Sequence, residues 1–73
     1  MDDFVNKPPH YTKGAVETIE AIESALGEGF EFYLQGNIMK YIWRYTHKNQ
    51  IEDLKKAQWY LNKLIEVYKE KHK

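Results

Sequence analysis

The segment from about Ile51 to Lys71 constrains this chain more than any other. Leu54, Ala57, Leu61, Leu64 and Tyr68 recur at alternating steps of three and four, and Tyr60 and Ile65 widen the stripe. That period is helical, and it predicts a helix about 30 Å long at the standard rise. The chain has 73 residues, so little else is available to cover such a stripe. Domains this small bury too little surface to be comfortably stable alone. Disulfides, a metal, tight helix packing or oligomerisation are the usual remedies. There is no cysteine, which removes disulfides and thiolate metal sites and fits a reducing compartment. Part of the stripe is therefore expected to pair with a second copy of the chain.

Two further helices complete the expected fold. Val16, Ile19, Ile22 and Leu26 share a helical spacing, which predicts helix 1 from about Ala15 to Leu26 with Gly27 as its stop. Thr12 or Gly14 is a possible cap, and Glu17 and Glu20 are expected near its positive end. The next stretch, EGFEFYLQGN, alternates like a strand yet also fits a helical turn. A lone strand would have no partner, so a short helix is expected there, broken at Gly36. Asn37 is then expected to cap a helix 2 over about Ile38 to His47. Ahead of all this, Pro8 and Pro9 predict an extended arm over residues 1–14. The expectation is an all-α fold: a small helical domain of about three helices over 15–73 with an extended N-terminal arm, completed by oligomerisation.

Charge narrows the function classes. Eleven basic and eleven acidic residues cancel, so binding to nucleic acid through net charge is disfavoured. The distribution is uneven, with five acids between Glu17 and Glu31, and nine bases against four acids from Lys40 to Lys73. No apolar run approaches the ~20 residues a bilayer demands, and the acidic start lacks a signal-peptide core. The expected location is cytoplasmic, without a membrane partner. No phosphate-binding glycine loop, dinucleotide fingerprint or zinc pattern is present.

Four constellations are candidates for chemistry. Lys40, Arg44 and Lys48 are expected on one line of helix 2, flanked by Tyr41, Trp43 and Tyr45. They form either a solvated face neutralised by helix 1 glutamates or a seat for phosphate, with backbone N–H groups at Asn37 in support. Spacing alone favours the solvated face. In EDLKKAQWYLNK, Lys56, Trp59 and Lys63 share a face, and Trp59 either stacks on a base or caps the core edge. His10 and Tyr11 follow the prolines and are either ligand contacts, His10 with a near-neutral pKa, or ordinary surface and packing residues. Glu17 and Glu20 form an E-x-x-E of the kind the all-α nucleoside triphosphate pyrophosphatases use for Mg²⁺. The matching E-x-x-D is missing, since Lys55 follows Glu52 by three.

Together, PPHY, Gly14 to Glu17, GNIMKYIWR with Lys48, and EDLKKAQWYL carry a resemblance. They resemble a small bacteriophage family of unknown function whose module also occurs in the nucleotide kinase of a T-odd coliphage. The resemblance spans about residues 6 to 66. It implies a shared polar set at His10, Tyr11, Glu17, Asn37, Lys40, Tyr41, Arg44, Lys48, Asp53, Lys56 and Tyr60, and it tips the cationic line towards a phosphate-bearing ligand. The expected function is that of a phage nucleotide-binding protein in the infected host's cytoplasm, holding a nucleotide or a nucleotide-derived immune signal, and sequestering it. A nucleoside monophosphate kinase-like activity, with Mg²⁺ held by carboxylates, and a host-protein interaction module are the alternatives.

Overall fold

The computed structural model describes residues 13–73, with side chains described from residue 18 onward. Among the described residues three α-helices follow one another: α1 over Lys13–Leu26, α2 over Phe30–Arg44 and α3 over Ile51–Lys71. Short 3₁₀ turns at Gly27–Gly29 and Tyr45–His47 join them. The described residues contain no strand, and no described helix is long and apolar enough to cross a membrane.

α1 starts two residues earlier than expected, so Lys13 and Gly14 are helical and Glu17 falls outside the first turn. Of the arm expected over residues 1–14, residues 1–12, Thr12 among them, lie outside the described residues. Gly27 ends α1 as predicted: its φ is +56°, a left-handed angle that glycine adopts without steric cost.

The largest departure is α2. Gly36 does not break it and Asn37 does not cap it; both lie inside one helix of 15 residues. Gly36 is exposed, and a Cβ placed there would meet nothing within 4 Å. Its cost is the roughly 1 kcal/mol of lost helix propensity, which packing on either side outweighs. Asn37 turns its side chain back along the helix, Nδ2 donating to the Tyr33 carbonyl at 3.0 Å. The helix also stops sooner than expected, at Arg44.

α2 and α3 form the main packing pair, running antiparallel. Phe30, Leu34 and Tyr41 of α2 meet Ala57 and Tyr60 of α3, and Ile19 of α1 closes the cluster. Leu34 is completely buried, at a position where a leucine contributes several kcal/mol. Aromatic rings run through the pair. Phe30 stacks on Tyr33 at 5.8 Å, Tyr33 meets Tyr60 edge-on at 6.4 Å, and Tyr60 stacks on Tyr41 at 5.8 Å. Ion pairs fasten both ends. Lys71 Nζ reaches Glu31 Oε2 at 2.9 Å where α2 begins, and Arg44 pairs with Asp53 where it ends. The termini of α3 suit its dipole, with Glu52 and Asp53 in the first turn and Lys69 and Lys71 in the last.

Candidate functional site

Tyr41 sits near the end of α2, 7% exposed, with its ring stacked on Tyr60. Three cations gather over that ring. Lys40 Nζ is 4.7 Å from the centroid, Arg44 Cζ 4.9 Å, and Lys56 Nζ, arriving from α3, 5.5 Å. The negative face of an aromatic ring attracts each of them. It does not cancel their charges, which repel one another.

Of the three, Arg44 alone has a carboxylate partner among the described side chains. Its Nε donates to Asp53 Oδ2 at 3.2 Å and its Nη2 to Oδ1 at 3.3 Å, the paired fork that suits guanidinium to carboxylate. The same two oxygens accept from the Asn49 backbone N–H at 3.2 Å and from Asn49 Nδ2 at 3.3 Å. Asp53 is therefore fully buried and fully engaged. Burial pushes its carboxyl pKa up, but the Arg44 hydrogen bond and the two from Asn49 pull it down further, so the net shift is below the ordinary 3.8. Asp53 is the third residue of α3 and reaches back to the turn ahead of it, as a capping-box residue does. That turn includes Gln50 at φ +47°, an uncommon angle for a residue with a side chain. Expected as a ligand contact, Asp53 is instead an internal clamp that holds Arg44 and the turn.

Lys40 and Lys56 differ from Arg44. Among the described residues neither has a carboxylate within ion-pair distance. The α1 glutamates expected to neutralise the cationic line do not do so among the described side chains: Glu23 faces Lys63 at 3.9 Å and Glu20 is exposed.

The structure redraws the expected site in several ways. Lys40, Tyr41, Arg44 and Lys56 come together, from two helices. Lys48 leaves the line, because α2 ends four residues before it and its backbone is non-helical (φ −128°, ψ −99°); it is an exposed turn residue. Asn37, inside α2, offers no free N–H groups at a helix start. Trp59 is half-buried and packs edge-on against Tyr60 at 5.1 Å, capping the core edge. Tyr41, covered as it is, has no open face for a base. His10 and Tyr11 and the side chain of Glu17 lie outside the described residues. Trp43 was named only as a flank, yet it is 84% exposed. It follows Lys40 by three, which places the two side by side on the helix. Tyr60 is buried beneath Tyr41, and burial pushes its phenol up to about 12. No group of three or more His, Asp or Glu side chains able to hold a metal occurs among the described residues.

No curated protein and no solved structure matches the chain. One protein family does, over residues 5–62, which is most of the chain and includes every residue of the Tyr41 cluster. The chain thus belongs to the family DUF3310, described as a protein of unknown function.

Proposed function

We propose that the chain binds a phosphate-bearing small molecule, a nucleotide or a nucleotide-derived signal, over the Tyr41 cluster. The observation that carries this reading is the gathering of Lys40, Arg44 and Lys56 around one ring with a single carboxylate among the described side chains there. The two lysine ammonium groups are at most about 10 Å apart, roughly one Debye length at physiological salt. Each therefore feels the other, and a phosphate between them relieves that repulsion. Asp53 fixes the Arg44 fork in place, and Nη1 of that guanidinium makes no bond among the described residues. It is the third donor for the anion. Trp43, beside Lys40 and open to solvent, offers the base a stacking surface.

Holding is favoured over turnover. Asp53 is the carboxylate at the cluster among the described side chains, and both its oxygens are occupied. The likeness to a phage module suits a protein that sequesters its ligand inside an infected bacterium. Native mass spectrometry against a mixed nucleotide pool tests the reading. The expected result is a discrete nucleotide mass on the chain, lost in a Lys40→Glu/Lys56→Glu variant. Bare protein at every nucleotide concentration would return both lysines to a solvated face. Phosphoryl transfer has its own check: diphosphate formed from ATP and a deoxynucleoside monophosphate would show turnover instead of holding.

A further inference from the structure

The opposite side of the α2–α3 pair carries an apolar face of another kind. On α3, Ile51, Leu54, Gln58, Leu61, Ile65 and Tyr68 follow steps of three and four along the whole helix, the spacing of a helix-pairing seam. None is charged, and Ile51, Leu61, Ile65 and Tyr68 are each between 44% and 59% exposed. On α2, Ile38 and Ile42 continue the face at one end and Phe32 at the other. Two shallow depressions of about 370 and 330 Å³ run along the groove between the helices.

We infer that this face docks a second copy of the chain. Area supports it. A face about 30 Å long on α3 and about 22 Å long on α2, each about 10 Å wide at ordinary helix spacing, covers about 500 Å² per copy. A pair then buries about 1,000 Å², the area a specific interface has to clear. Symmetry supports it as well. A two-fold axis sets the same surface against itself, and the α3 row, which carries no charge, does so without repulsion, while Lys55, Lys69 and Glu31 stand along the groove's margins. Gln58, the one amide in the row, lies near its midpoint, where a two-fold brings a residue close to its own copy. A primary amide both donates and accepts, so two copies satisfy each other. A purely apolar partner would leave it unpaired, at a cost.

The inference does not rest on the ligand reading. Lys56 lies five residues after Ile51, roughly 140° around the helix from the seam, so pairing leaves the Tyr41 cluster on the outside. Sedimentation of the full chain at micromolar concentration tests it. A two-chain mass that falls to one chain in a Leu61→Glu/Ile65→Glu variant, with helicity by circular dichroism retained, is the expected result. Because the chain has no cysteine, Gln58→Cys supplies a second reading should that variant fail to fold. It should cross-link on oxidation, and Glu20→Cys on the exposed face of α1 should not. A single-chain wild type, or a Gln58→Cys that cross-links no better than Glu20→Cys, would overturn the inference.

Discussion

The two long faces of the α2–α3 pair belong to the same helices and answer to different physics. On the Tyr41 side, charge is concentrated: Lys40, Arg44 and Lys56 surround one ring, and among the described side chains one buried carboxylate answers them. On the seam side the α3 row carries no charge, and large apolar groups remain exposed. An excess of like charge is relieved by an anion, and exposed apolar area is relieved by another apolar surface. Among the described residues the core holds six buried apolar side chains. It leaves both faces incomplete, each in its own currency.

Substitutions separate what the faces share from what each does alone. The largest effect belongs to the shared framework. Leu34→Ala, at a fully buried position, should cost about 3 kcal/mol and degrade both faces together in urea unfolding. Next is the clamp. Asp53→Asn removes the charge that holds the Arg44 fork and should cost about 2 to 3 kcal/mol, with the loss centred on the Tyr41 end. The same clamp sets a pH dependence. The folded-state carboxyl of Asp53 titrates below its unfolded value. Its contribution is therefore complete above the unfolded pKa of about 3.9, and is lost as pH falls from there through the folded value. Acid unfolding monitored by circular dichroism should shift less in Asp53→Asn than in the wild type.

Smaller changes should act on one face only. Lys40→Gln and Lys56→Gln, where no ion pair is broken among the described residues, should alter stability by less than about 0.5 kcal/mol. Each should weaken ligand binding by about ten- to a hundred-fold, the worth of one charge-assisted hydrogen bond, as read by calorimetry. The least effect is expected at Gln50. Its φ of +47° is relaxed by glycine, so Gln50→Gly should raise stability by about 1 kcal/mol and leave both faces unchanged.

The sequence was readable wherever period or a left-handed turn decided the outcome. α3 matched its stripe, α1 ended at Gly27, and the Phe30–Leu34 stretch proved helical. It misled at Gly36–Asn37, because local punctuation signals a break that costs only about 1 kcal/mol to override. Phe30 and Leu34 on one side and Tyr41 on the other secure the helix across it. The stripe of α3 was visible, but its division was not. Ala57 and Tyr60 turn inward, and Leu61 and Tyr68 turn out. Only the placement of α2 decides which half is covered. Lys40, Arg44, Asp53 and Lys56 were all named from sequence, yet their roles were not separable there. Arg44 and Asp53 are nine residues apart across a turn whose geometry no spacing rule supplies. Once that turn closes, one carboxylate is consumed, and among the described side chains two lysines are left without one.

The most direct measurement is a nucleotide titration followed by amide-resolved NMR on the full chain. Saturable shifts confined to Lys40 through Arg44 and to Lys56, with the Ile51 to Tyr68 seam unmoved, are the predicted result. No saturable shift, or shifts that fall on the seam instead, would contradict the assignment of the Tyr41 face as the anion site.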